Sequence, residues 1–286
     1  MTLKIAIPNK GRLMEETVDV LRSIGLRVPR GNDRQLIATV NDGRYQILFT
    51  RAGDIPEYVM IGAADIGVTG LDLVAETGAH VKKLIDLDYG KCRLVVAGPE
   101  AAHLESISDL PKNARIATSF PNLTRRYFAS KKMKVEIIPI SGAAEITPYI
   151  GVADAIADLV QTGTTLKQNH LVLLDVILDS WAVMIAPKHI AASHAQAIDD
   201  LVEGIRGVQA AHRKRYLMAN VPKKSVDEVR RIIPGLSAPT IMTTANAAIV
   251  AMHAVVDEDH LNALVPKLKK AGASGILVLP IERLIP

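Results

Sequence analysis

The stretch DAIADLVQTGTTL, residues 154–166, concentrates groups that can do chemistry: an apolar run carrying two acids leads directly into a turn of Thr162, Gly163, Thr164 and Thr165. Small hydroxyl residues around a glycine make a cradle for a phosphate. If Thr164 opens a helix, several free backbone N–H groups point at one place, the helix dipole favours an anion there, and the threonine hydroxyls add donors. Gly163 lets the backbone approach with no side chain in the way. No lysine stands where a Walker loop requires one, which excludes an ATPase P-loop. Asp154 and Asp158, four apart, share one face of a strand, from which both carboxylates can aim beyond the sheet and accept ribose hydroxyl hydrogen bonds. An equal reading is that Asp158 only satisfies the turn, because Thr-Gly-Thr-Thr is also a common helix start.

Other candidates sit at strand ends. In NKGRL, Lys10 and Arg12 follow the first predicted strand, where open α/β sheets bind ligands, and two cations there suit a triphosphate. An isolated Lys-Gly-Arg would by default be a solvated basic turn. Arg51 ends the next strand, YQILFT, with Asp54 near enough in sequence to pair with it. Gly70 and Asp72 lie at another strand-to-helix turn, and Asp86 and Asp88 near a hinge, where they contact substrate or simply cap helices and pair with Lys91. The eight histidines show no metal-ligand spacing such as HExxH, so no metal held by protein side chains alone is expected. The lone Cys92 can form neither an internal disulfide nor a cysteine zinc site, and its apolar flank CRLVVA suits a buried small hydrophobe.

The elements that must position these residues alternate. Of 286 residues, 49% are apolar, enough for two or three small domains, and no apolar stretch approaches the roughly 20 residues that span a bilayer. The opening MTLKIAIPNKGR lacks a secretory apolar core, which points to the cytoplasm. The net charge is +4, but the cations are scattered and aromatics make up 3%, so small polyanionic substrates explain the balance at least as well as nucleic acid does. Short runs rich in Val, Ile and Leu alternate with amphipathic stretches, the rhythm of an α/β fold with buried parallel strands. The expected organisation is a first lobe of residues 1–92 and 175–212, a second lobe of residues 93–174, and a terminal domain of residues 213–286 in the βαββαβ order of a ferredoxin-like fold.

Read together, GVADAIADLVQTGTTL, NKGRL, GAADIGVTGLD, DYGKCRLVVA, RIATSFPNLTRRYF, SGAAEITP and KLKKAGASGILVLPIERL resemble, in order and along essentially the whole chain, the long form of the ATP phosphoribosyltransferases. That resemblance implies a two-lobed catalytic core of the periplasmic-binding-protein type plus a C-terminal regulatory domain. It implies that adenine N1 of ATP attacks C1 of phosphoribosyl pyrophosphate and releases pyrophosphate, with Mg2+ carried on the polyphosphate. By the same resemblance Asp154, Ala155, Asp158, Thr162, Gly163, Thr164 and Thr165 hold phosphoribosyl pyrophosphate. Lys10, Gly11, Arg12, Leu13, Arg51, Asp72 and Asp88 face ATP, and Asp154, Glu145, Lys10 and Arg12 act on the transition state.

Histidine, as feedback inhibitor, would meet Asn220, Leu236, Thr240 and Ala273, with Asn220 standing where an acid would be expected for its amino group. AMP as a second inhibitor and dimers that associate into hexamers are further implications. The rival reading, a non-catalytic two-lobed solute-binding or sensor protein, shares the fold but leaves the phosphate loop and the basic turn unexplained.

Overall fold

The computed structural model describes residues 2–29, 35–233 and 238–285. It divides into two compact units, Met1–Asp199 and Asp200–Pro286. The first unit contains two sheets. Its chain begins with β1 (Leu3–Pro8), α1 (Gly11–Ser23), β2 (Ile37–Val40), β3 (Tyr45–Thr50), α2 (Ile55–Met60), β4 (Ile66–Gly70), α3 (Leu71–Thr77) and β5 (Val81–Asp86). It then passes into the second sheet through β6 (Cys92–Pro99), β7 (Arg115–Thr118), α4 (Pro121–Ser130), β8 (Glu136–Pro139), β9 (Ala155–Val160), α5 (Thr164–Gln168) and β10 (Leu171–Ser180). It returns with β11 (Ala182–Pro187), and α6 (Ala192–His212) carries the chain onward.

The first sheet has the order β2-β3-β1-β4-β11-β5 and the second β10-β6-β9-β7-β8. Central strands such as β1 and β4 are buried on both faces, as their continuous apolar sequences require. Strand direction decides where the loops go. β1 runs parallel to β3 and β4, so the three C-terminal ends share one edge. β11 is antiparallel to β4 and β5, with Ala182 opposite Gly70 and Val183 opposite Asp86. The chain therefore leaves and re-enters the first sheet at that same edge. In the second sheet Cys92 faces Ser180, Arg93 faces Val160, and β7 runs parallel to β9. The C-terminal ends of β7 and β9 thus also open toward the two crossings.

The strands of the second sheet run from Cys92 to Ser180 along the chain. β10 pairs with β6 from Leu171 to Ser180, and β11 does not start until Ala182. The polar Asp179 and Ser180 mark the crossing itself.

The second unit comprises β12 (Lys214–Pro222), α7 (Val226–Ile232), β13 (Thr240–Thr243), β14 (Ile249–Asp257), α8 (Leu261–Lys270) and β15 (Ser274–Pro280), preceded by most of α6. Its antiparallel sheet has the order β13-β14-β12-β15, the expected βαββαβ arrangement. Period-two alternation buries Leu217, Ala219 and Val221 of β12 and Val250, Met252, Ala254 and Val256 of β14 against Val229, Leu264 and Leu268 of the helices. The other face of the sheet carries Tyr216, Met218, Asn220, Ala251 and His253. Among the described residues no helix is long and apolar enough to cross a membrane.

Candidate active site

The first lobe builds a basic rim. The backbone N–H of Asn9 donates to the Thr50 carbonyl at 2.8 Å, which ties the ends of β1 and β3 together. Lys10 stands at the N-cap of α1 in extended conformation, and Gly11 follows at φ +75°. No heavy atom lies within 4 Å of where a Gly11 Cβ would stand, so its glycine is there for the backbone angle, not for space. Lys10, Arg12 and Arg51 are exposed, as is Asp88 on the first crossing. Arg12 Nε donates to Glu16 Oε1 at 3.0 Å. Leu13 packs behind this turn: its carbonyl accepts from the Thr17 hydroxyl at 2.6 Å, and that hydroxyl meets the Tyr89 hydroxyl at 2.9 Å. Burial holds the Tyr89 phenol far above its ordinary pKa. The first crossing is thereby bonded to α1, a link between Thr17 and Tyr89 for which the sequence offers no local signal.

Asp72 is not part of this rim. It is 4% exposed, its carboxylate Oδ1 accepts from the Ser180 hydroxyl at 2.5 Å, and its N–H donates back to that oxygen at 2.9 Å. Burial raises its pKa. The carboxylate, expected from the sequence to face ATP, points into the seam between the lobes. Cys92 lies half-buried in the same seam, with its thiol pushed up to about 11 by burial and by Asp72, so it is protonated at neutral pH.

The second lobe supplies hydroxyls and acids. β9 runs into the loop, Gly163 takes φ +78° as N-cap of α5, and the Thr162 and Thr164 hydroxyls are 2.9 Å apart. Thr162, Thr164 and Thr165 are exposed, and Leu166 anchors the turn in the core. Asp158 sits two residues before the end of β9, where burial and then the charge of Glu145 raise its pKa. Glu145 lies on a short 3-10 turn, Ala144–Ile146, between β8 and β9. These are the two acids that the structure brings together.

Asp154 lies at the opposite end of β9. Six residues of strand, roughly 20 Å, separate it from Val160. Its carboxylate accepts from the Arg115 N–H at 2.8 Å and from the Arg115 guanidinium at 3.0 Å, and the guanidinium holds its pKa below the usual range. Asp154 therefore stands apart from Asp158 and the Thr162–Thr165 turn, because two positions on one face of a strand are not at one end of it. Ala155 is fully buried beside Ile116, so its side chain is also not available to a ligand.

In the second unit Asn220 is exposed, opposite Ala251 and Ser274. Thr240, also exposed, pairs with His253, which faces Met218. Two strands and two residues separate Thr240 from Asn220, roughly 12 Å. Ala273 is buried in the core, leaving only its backbone for a ligand, and Leu236 lies outside the described residues. Among the described residues no group of three or more His, Cys, Asp or Glu is placed to hold a metal ion.

Two family profiles match the chain: one described as ATP phosphoribosyltransferase over residues 51–207, and one for the C-terminal domain of that family over residues 211–283. An ATP phosphoribosyltransferase of Methanococcoides burtonii is 47% identical over 285 residues, covering 99% of this chain and 100% of the relative. One from Methanocaldococcus jannaschii is 45% identical over 288 residues, covering 99% and 100%. Among solved structures, a chain of the ATP phosphoribosyl transferase (HisG:HisZ) complex from Thermotoga maritima superposes with a TM-score of 0.60 at 31% identity, covering 72% of this chain and 99% of that one. A putative L-cystine ABC transporter protein from Listeria monocytogenes shares the fold, with a TM-score of 0.50 at 14% identity over 72% of this chain and 89% of its own.

Proposed function

The chain belongs to the ATP phosphoribosyltransferase family, and we propose that its first-lobe rim holds ATP while its second-lobe loop holds phosphoribosyl pyrophosphate. The enzyme transfers the 5-phosphoribosyl group to N1 of ATP and releases pyrophosphate, the first step of histidine biosynthesis. A non-catalytic solute-binding role is not favoured. The observation that carries the division of labour is strand direction. The ends of β1 and β3 and the end of β9 all open toward the two crossings, which sets Lys10, Arg12 and Arg51 on one rim and the Thr162–Thr165 turn on the other.

Adenine N1 has a free lone pair at neutral pH, so attack needs no strong base. Catalysis then rests on alignment of two polyanions and on stabilising charge as it develops. Lys10 and Arg12 neutralise phosphate oxygens, and the exposed Arg12 exchanges its half-buried partner Glu16 for substrate. The loop N–H groups and threonine hydroxyls hold the 5′-phosphate. Asp158 and Glu145 offer carboxylates to the ribose hydroxyls and favour positive charge on the sugar ring. Asp154 and Asp72 serve the fold.

The family requires a divalent metal, and we assign Mg2+. In that assignment the ion travels on the substrate polyphosphate, with phosphate and water oxygens as most of its ligands. We further assign histidine, and AMP, as inhibitors, a homo-oligomer running from dimer to hexamer as the working assembly, and the cytoplasm as its location. The C-terminal domain that matches the family supports the histidine assignment.

The test is to incubate the protein with ATP, phosphoribosyl pyrophosphate, Mg2+ and pyrophosphatase, with and without histidine. Phosphoribosyl-ATP, followed by ultraviolet absorbance and mass, should form and should decline when histidine is added. Absence of product with both substrates bound would overturn the reading.

A further inference from the structure

Helix α3 belongs by sequence to the first lobe, yet it is bonded at both ends to the second. At its start Asp72 exchanges two hydrogen bonds with Ser180, the last residue of β10. Near its end the Glu76 carboxylate accepts from the backbone N–H groups of Asn122 and Leu123, each at 2.8 Å, at the first turn of α4. The bonding is reciprocal: Asn122 Nδ2 donates to the Glu76 carbonyl at 3.2 Å, and the Arg126 guanidinium donates to the Ala75 carbonyl. Leu73 and Ala75 pack against Leu94, Phe120 and Leu123 beneath these bonds.

The chemistry of the contact is complete in itself. α4 has no side-chain cap from its own sequence, and Pro121 at its first position has no N–H to satisfy. Glu76 supplies the missing acceptor, and its negative charge meets the positive end of the α4 dipole. The Ala75 and Glu76 carbonyls, which lie in the last turn of α3, find donors on α4.

Two chain crossings alone define an axis about which the lobes can turn. The Asp72–Ser180 pair lies at the crossings, and Glu76 is four residues along the helix, about 6 Å away. A bonded point off the axis stops the rotation. We propose that Glu76 is a positioning residue, which by capping α4 from α3 fixes the angle between the lobes and hence the line along which ATP meets the ribose carbon. The catalytic half of this inference rests on the assignment of one substrate to each lobe. Each substrate binds its own rim without the clamp, but transfer between them needs the angle.

The experiment uses the full chain with nitroxides attached through Glu57→Cys on α2 and Ala129→Cys on α4, both exposed positions in different lobes. Glu76→Ala should broaden the interlobe distance distribution measured by pulsed electron resonance. It should also lower kcat about 10- to 100-fold, as misalignment of reactants does, while KM for each substrate changes less than about threefold. Glu76→Gln keeps the length and one acceptor oxygen, and should recover much of both readouts even if the alanine variant folds poorly. An unchanged distance distribution, or an unchanged kcat, would overturn the proposal. If the parent protein forms no phosphoribosyl-ATP, the site reading falls, and the distance distribution alone then decides the clamp.

Discussion

Burial raises the Asp158 carboxyl above the ordinary carboxylate range, and the neighbouring charge of Glu145 raises it further. An acid with a raised pKa in the folded protein keeps its proton where the unfolded chain, with a pKa of about 3.9, has already lost it. The fold loses stability as pH climbs between those two values, and the full cost is present above the folded one. Asp158→Asn should therefore raise the melting midpoint at pH 7 and leave it unchanged near pH 3. The same variant should lower kcat about 100-fold, the scale of one electrostatic group lost from a transition state. Calorimetry across pH with single-turnover rates checks both, and a variant that keeps its kcat would remove Asp158 from the site.

Gly163 adopts φ +78° with open space where a side chain would go. Gly163→Ala is then a conformational change without a steric clash, costing about 1 kcal/mol at a left-handed position. Its effect should fall on KM for phosphoribosyl pyrophosphate, several-fold upward, with KM for ATP unmoved. Steady-state kinetics with each substrate varied in turn tests this, and equal shifts in both constants would argue against the loop as the phosphate site.

Asp154 provides the opposite case. Its pKa is lowered by Arg115, so its contribution to stability is present above the unfolded value and is lost as pH falls through the lower folded one. Asp154→Asn should melt earlier than the parent at pH 7, with the gap closing in acid, while kcat stays within about threefold. A hundredfold loss of kcat in a folded variant would return Asp154 to the ribose.

In the proposed inhibitor site Asn220 would offer the histidine ammonium group no carboxylate partner. Asn220→Asp should tighten inhibition by histidine about tenfold, equivalent to about 1.4 kcal/mol for one charge-assisted bond. Inhibition curves for the two proteins measure it, and identical curves would separate position 220 from the inhibitor.

The alternating pattern makes the elements and the βαββαβ unit readable in the sequence, because period and punctuation are local properties. The KGR turn and the Thr-Gly loop were readable for the same reason: each lies where a strand stops. The partners of Asp154 and Asp72 lie far along the chain, at Arg115 and Ser180, and local spacing does not encode them. The Asp158–Glu145 pair was half visible, as two candidate acids with no sign that they share a field. Glu76 carried no signal, since a glutamate in the last turn of a short helix reads as solvated until α4 is seen beneath it.

The position of β11 between β4 and β5 bears on how the protein is made. β4 is complete at Gly70, but its neighbour begins at Ala182, so the entire second sheet must emerge from the ribosome before the first can close. At roughly 5–20 residues per second that interval is on the order of ten seconds. During it the nascent chain presents the open edge of β4 with no strand to cover it, which is the stage at which a chaperone would bind and at which slowed translation would favour aggregation.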